Sequence, residues 1–120
     1  MSGAKPGGVP RRKALWMPGT LNSLRSYPAR IRLVIGRAVE VAQWGETDLR
    51  AKPMKGALRD VMEIAVDGDR VTYRAAYYVA KAETGPVIVL EKSNRGASTP
   101  THVVERIARR LARTKEIEHG

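Results

Sequence analysis

The sequence predicts an α+β domain, and three observations point there. Two helical stripes follow one another in its first half, an alternating β-hairpin pattern with a further apolar run occupies its middle, and a basic amphipathic helix closes it. Helices with one apolar stripe need a surface to lie on, and the hairpin supplies it. The expected architecture is an N-terminal helical hairpin packed on a small antiparallel β-sheet, with a C-terminal basic helix.

Residues 1–12, with Gly3, Pro6, Gly7, Gly8 and Pro10, carry too few apolar side chains to pack and read as a flexible basic tail. One domain is expected over residues 13–115, with a second short tail over 116–120. Ala14 to Met17 predicts an edge strand, broken by Pro18-Gly19. Thr20 is placed to N-cap a brief helix with Leu21, Leu24 and Tyr27 on one side. Pro28 suits the first turn of a longer helix in which Ile31, Val34, Ile35, Ala38 and Ala42 recur at three- and four-residue steps, and Gly45 is placed to stop it in the left-handed conformation.

Val61–Val66 and Val71–Ala80 are rich in β-branched and aromatic residues and alternate, with Asp67-Gly68-Asp69 between them as a hairpin signal. A two-residue turn at Asp67-Gly68 or at Gly68-Asp69 gives the same facing. Met62, Ile64, Val66, Val71, Tyr73, Ala75, Tyr77 and Val79 then share one face, while Glu63, Thr72, Arg74, Ala76 and Tyr78 share the other. Val87–Leu90 is apolar at every position, which predicts a strand covered on both faces. Ser93–Ser98 reads as a polar loop, after which Thr99-Pro100 opens the last helix. There Val103, Val104, Ile107 and Leu111 form the apolar stripe, and Arg106, Arg109, Arg110 and Arg113 a basic one.

Twenty-two Lys and Arg against twelve Asp and Glu give a formal charge of +10, which favours a polyanion or an acidic protein as partner. With no Cys, thiolate metal sites, cysteine nucleophiles and disulfides are excluded. His102 and His119 are isolated, so no metal site is expected, and no phosphate loop, dinucleotide glycine pattern or serine elbow is present. No cofactor is expected. No apolar run approaches the roughly twenty residues that span a bilayer, and the basic N-terminus lacks the apolar stretch of a signal peptide. The expectation is a cytoplasmic protein without a membrane partner. Trp16 and Trp44 each adjoin an apolar segment and are assigned to packing.

Chemistry is sought where cations and a carboxylate converge. The hairpin places Glu63 and Arg74 opposite or diagonal on one face, and Lys52 and Lys55 lie just before it in Ala51-Lys-Pro-Met-Lys-Gly56. RNA cleavage by the 2′-hydroxyl needs a deprotonated nucleophile, neutralised phosphate oxygens and a protonated 5′-oxygen. Arg74 suits the phosphate, since arginine holds its proton. A lysine crowded by other cations gives up its proton more readily and suits acid or base work. The four arginines of the last helix suit phosphate binding, as against a solvated face that complements the helix dipole.

Taken in order, Leu24-Arg-Ser-Tyr-Pro28, Ala42-Gln-Trp-Gly-Glu46, Ala51-Lys-Pro-Met-Lys-Gly56, Val61-Met-Glu-Ile64, Thr72-Tyr-Arg-Ala-Ala-Tyr77 and Ser98-Thr-Pro100 resemble the phage-derived, HigB-like branch of the RelE/ParE toxin superfamily. The resemblance runs from about Leu15 to Arg113. It implies a RelE-like fold and the toxin of a type II toxin–antitoxin system, a metal-independent mRNA endonuclease acting at the ribosome. A cognate antitoxin, a small helix-turn-helix protein, is the implied partner. Carried over by position, the implied catalytic residues are Lys52, Lys55, Glu63 and Arg74.

The segment Leu90-Glu-Lys-Ser-Asn-Arg-Gly96 is shorter than in similar sequences and lacks their aromatic residue and lysine pair. Lys92 and Arg95 are the basic groups that stand in for them. Two alternatives stand beside this reading, the first of them raised by the shortened segment. One is a catalytically impaired protein of the same fold that binds RNA, the ribosome or a partner protein; the other is a gyrase inhibitor like the ParE branch.

Overall fold

In the computed structural model, residues 11–82, 85–93 and 101–119 are described. Their elements are β1 (Ala14–Trp16), α1 (Thr20–Arg25), α2 (Ala29–Gln43), β2 (Ala51–Pro53), β3 (Val61–Asp67), β4 (Thr72–Val79), β5 (Val87–Ser93) and α3 (Thr101–His119), with one 3₁₀ turn at Gly56–Leu58.

The strands form one sheet in the order β1-β5-β4-β3-β2. The three pairings from β2 to β5 are antiparallel, but β1 runs parallel to β5, with Ala14 opposite Val87 and Trp16 opposite Val89. The sheet is therefore mixed, a correction to the expected antiparallel one. A pairing between segments so far apart in the chain has no turn to announce its direction.

Helices cover both faces. On one, Leu24 and Tyr27 at the α1–α2 junction and Ile31, Ile35, Ala38 and Ala42 of α2 pack on Ile64, Ala75, Tyr77, Val87 and Val89. The Tyr27 and Tyr73 rings meet there at 4.6 Å between centroids, tilted by 59°. On the other, Val103, Ile107 and Leu111 of α3 pack on Val61, Ala76, Tyr78, Ile88 and Leu90. This is why β5 is apolar at successive positions: Val87 and Val89 serve one core, Ile88 and Leu90 the other.

The hairpin keeps the expected facing with a different turn. Asp67 pairs with Thr72, Gly68 N–H donates to the Val71 carbonyl at 2.8 Å, and the chain reverses at Asp69-Arg70, where Arg70 has φ 68°. Gly68 answers a different need: a Cβ there would lie 2.5 Å from the Tyr73 ring. Because the turn moves by whole pairs, the parity of the ladder, and so the facing of every side chain, is unchanged.

Three boundaries also differ. The N-cap of α1 is Gly19, at φ 85°, and the Thr20 hydroxyl donates to the Met17 carbonyl at 2.6 Å. Strand β5 continues through Ser93, past a register shift between Ala76 and Tyr77. Helix α3 runs to His119, through most of the expected second tail. Gly45, at φ 81°, ends α2 as expected: its N–H donates to Ala42 and that of Glu46 to Val41, the paired bonds of a Schellman cap. Thr99 and Pro100 lie outside the described residues.

Arg12, counted with the basic tail, belongs to the fold. Its Nη1 donates to the carbonyls of Ala80, Ala82 and Gly85 at 3.2, 2.9 and 2.7 Å, and its N–H to Gln43.

Candidate functional site

The α3 side of the sheet carries the candidate site on its hairpin half. In the β3–β4 ladder Glu63 stands opposite Ala76 and Arg74 opposite Ala65, so the two charged residues are diagonal neighbours on one face. Arg74 Nη1 lies 3.3 Å from Glu63 Oε1. Their side chains are only 13% and 20% exposed, so removing either partner leaves a poorly solvated charge behind.

Lys52 joins them from the other side. The expected loop Ala51–Gly56 begins as a strand, and in that strand Lys52 pairs with Glu63. Paired residues share a face, so Glu63 has the exposed Lys52 as neighbour on one strand and Arg74 on the other. This short edge strand ends in Pro53, which removes one donor and leaves a sequence that reads as a loop. Lys55 is exposed and extended at φ −93°, where it caps the 3₁₀ turn. It lies three residues beyond Lys52, roughly 10 Å along an extended chain.

The remaining predicted residues are spread more widely. Ser93 is the partner of Arg74 on β5, whereas the expected site residue Lys92 pairs with Ala75 and so falls by register on the α2 side of the sheet, opposite the face that holds Arg74. Arg95 lies outside the described residues. On α3, Arg109 and Arg113 are exposed and Arg106 is half-buried. Arg110 is used differently: Nη1 donates to the Leu90 carbonyl and Nη2 to that of Pro18, at 3.4 Å. It ties the helix to β5 and to the turn after β1.

One polar cluster had no signal in the sequence. Asp60, in the turn just before β3, accepts from Lys115 of α3 at 2.9 Å and pairs with Lys81 at 3.8 Å. The hydrogen bond and charge of Lys115, with the charge of Lys81, hold its carboxyl below the usual value. The Lys115 ammonium also lies 5.9 Å from the Tyr78 ring centroid. In the other core, burial pushes the Tyr77 phenol above its ordinary value, with Asp48 adding to the shift. The three groups come from separate segments, so no local pattern joins them.

Among the described residues no three His, Asp or Glu side chains come together as metal ligands. The face that holds Arg74 carries two cations, Arg74 and Lys52, beside one carboxylate. A guanidinium fixed by a carboxylate, with an exposed lysine on the neighbouring strand, can receive a phosphodiester and neutralise its oxygens.

The chain matches the family model described as Phage derived protein Gp49-like over residues 22–112. No curated protein matches it. Among solved structures it is similar to one chain of the toxin–antitoxin complex RelBE2 from Mycobacterium tuberculosis, at 18% identity and a TM-score of 0.49, with 72% of this chain and 94% of that one covered. A likeness that distant bears on neither activity nor site residues.

Proposed function

The chain belongs to the phage-derived Gp49-like family, and from that premise we propose that it is the toxin of a type II toxin–antitoxin system that cleaves mRNA at the ribosome without a metal. The observation that carries this reading is Arg74, 13% exposed on the α3 side of the sheet and held by Glu63, with Lys52 across the next ladder. The resemblance of the ordered motifs to the HigB-like branch supports it further.

In this reading the RNA 2′-oxygen attacks the adjacent phosphorus and the 5′-oxygen leaves. Arg74 neutralises the charge that builds on the non-bridging oxygens. Lys52 or Lys55 assists the proton transfer, and Glu63 orients the arginine. Arg95, Arg106, Arg109 and Arg113 attract the RNA, with Arg110 contributing charge from its tethered position. The partner that silences the protein is an antitoxin, of helix-turn-helix type in the resembling branch. Both act in the cytoplasm; among the described residues no helix is long and apolar enough to cross a membrane.

Induced expression tests this. The wild type is expected to arrest growth and leave defined cuts in translated mRNA, whereas Arg74→Ala does neither; an equally toxic Arg74→Ala protein sinks the assignment. A second reading, an RNA-binding protein without cleavage, is favoured by one feature, the carboxylate of Glu63 set against the proposed phosphate clamp. It predicts salt-dependent RNA binding that leaves mRNA intact, and defined cuts would refute it.

A further inference from the structure

The sheet face that holds Arg74 continues past it to the end of the hairpin. Asp67 pairs with Thr72 in the last rung of the β3–β4 ladder, and by parity both stand on the side of Glu63 and Arg74. Ala65, the register partner of Arg74, lies between; it is exposed and has no side chain beyond Cβ to obstruct the way. Ala65, Asp67, Thr72 and Arg74 all lie outside the core that packs beneath α3. Along the strand, Asp67 is roughly 7 Å from the Ala65–Arg74 rung and roughly 13 Å from Glu63. That is about the reach of one nucleotide from its phosphate to the far edge of its base.

Asp67 is held in position. Its carbonyl accepts from Arg30 Nη2 at 2.9 Å, and the Gly68 N–H that follows closes the turn on the Val71 carbonyl. The Thr72 hydroxyl donates to Asp67 Oδ1 at 3.0 Å. Among the described residues that hydroxyl is the one partner of the carboxylate, which is exposed and leaves Oδ2 and a second lone pair of Oδ1 open. Asp60 and Glu63, by contrast, each meet a cation, at 2.9 and 3.3 Å.

An exposed carboxylate beside a phosphate site repels every RNA backbone alike. It contributes only where the RNA brings hydrogen-bond donors to it, and so it discriminates among bases. Guanine carries two adjacent donors on its Watson–Crick edge, N1–H and the N2 amino group, which match the two oxygens of a carboxylate. Adenine and cytosine set a ring-nitrogen acceptor beside their amino group, and uracil flanks its single imino donor with carbonyls. Each of these three turns a lone pair toward the carboxylate.

We propose that Asp67, oriented by Thr72, is a specificity residue that selects guanine in the nucleotide whose phosphate lies on Arg74. The nucleotide runs over Ala65 toward the end of the hairpin, and its base meets the carboxylate edge-on with two parallel hydrogen bonds. The proposal rests on the reading of Arg74 as the phosphate site and adds the base that this site takes.

The test uses the full chain and four 2′-O-methyl trinucleotides, with guanine, adenine, cytosine or uracil between two uridines. Without a 2′-hydroxyl none can be cut, so binding is read whether or not the protein cleaves RNA. Titrated to about 1 mM, the guanine trinucleotide is expected to shift the amide resonances of Ala65, Asp67 and Thr72. It should bind about tenfold more tightly than the other three, the size of one bidentate base contact. Asp67→Asn keeps an oxygen for the Thr72 hydroxyl but presents an amino group, so it is expected to lose the guanine preference and to favour adenine. Thr72→Val, similar in shape, is expected to weaken the preference, which keeps the test sound if Asp67→Asn unfolds. Asp69→Asn, at an exposed turn position, should bind as the wild type does. Absence of binding, shifts centred on another surface, or equal binding of the four trinucleotides would each overturn the proposal. If Arg74→Ala leaves every affinity unchanged, the phosphate reading falls and the proposal with it. If Arg74→Ala weakens all four alike while the guanine preference survives Asp67→Asn, the base assignment alone falls.

Discussion

The Arg74 guanidinium meets the Glu63 carboxylate along the diagonal of the β3–β4 ladder, 3.3 Å apart, while Lys52 stands directly opposite Glu63 on β2. One carboxylate thus lies between two cations contributed by its neighbours on either side. Removing it takes a charged partner from an arginine that is 13% exposed. Glu63→Ala is therefore expected to lower stability by about 1–3 kcal/mol, and Glu63→Gln by less, since the amide oxygen still accepts. Urea unfolding of the two variants checks this; equal midpoints for Glu63→Ala and wild type would remove Glu63 from its structural role.

The two lysines are separable by position. Lys52 shares a sheet face with Arg74 by register, whereas Lys55 lies beyond the strand in the turn. Lys52→Ala is expected to slow RNA cleavage by about 10²-fold or more, the range for a general acid or base, and Lys55→Ala by less. Single-turnover cleavage at saturating RNA measures both, and the reverse order would transfer the role to Lys55.

Arginines on one helix should not behave alike. Arg110 holds carbonyls of Leu90 and Pro18, so Arg110→Ala is expected to lower thermal stability. Arg109→Ala and Arg113→Ala, at exposed positions, should leave the melting temperature within error and flatten the salt dependence of RNA binding by roughly one unit of slope each. Calorimetry and filter binding over a salt series give the two readouts.

Acid should expose the Asp60 cluster. Lys115 and then Lys81 hold the Asp60 carboxyl below its ordinary value of 3.8, so the proton binds more weakly in the folded chain than in the unfolded one. The stability this contributes is present above the unfolded value and is lost as pH falls through the lower, folded one. Asp60→Asn is expected to be less stable than wild type at neutral pH, with the difference shrinking below about pH 4. Melting curves across that range provide the measurement.

Alkali should act on Tyr77. Burial, with Asp48 adding to it, raises its phenol above 10.0, so the unfolded chain releases that proton first. The contribution is complete below pH 10 and declines as pH rises toward the folded value. Tyr77→Phe is expected to flatten the alkaline limb of the stability profile, and an unchanged limb would place its cause elsewhere.

The elements with a strong internal period were legible. The α2 stripe, the Gly45 stop, the hairpin facing and the two-sided burial of Val87–Leu90 all follow from residues within a few positions of one another. Facing survived a wrong turn because every plausible turn differed by whole pairs. What the sequence hid depends on distant partners. Strand β2 has three residues and a proline, the direction of β1 is set by a strand far along the chain, and the inward reach of Arg110 depends on where two carbonyls happen to lie. Of the proposed site, Glu63 with Arg74 was readable from the ladder; the place of Lys52 beside them required the pairing of β2.

The parallel β1–β5 pairing also bears on when the molecule becomes complete during synthesis. Arg12 and Gly85, which help join the ends of these strands, are 73 residues apart in the chain. As the nascent chain leaves the ribosome, β1 has no strand to pair with until β5 emerges, and α3 comes later still. Such distant closure slows folding, because the loop must be ordered before its contacts form. The β2–β3–β4 ladders can form earlier, but the β1 edge is closed only after β5 has emerged.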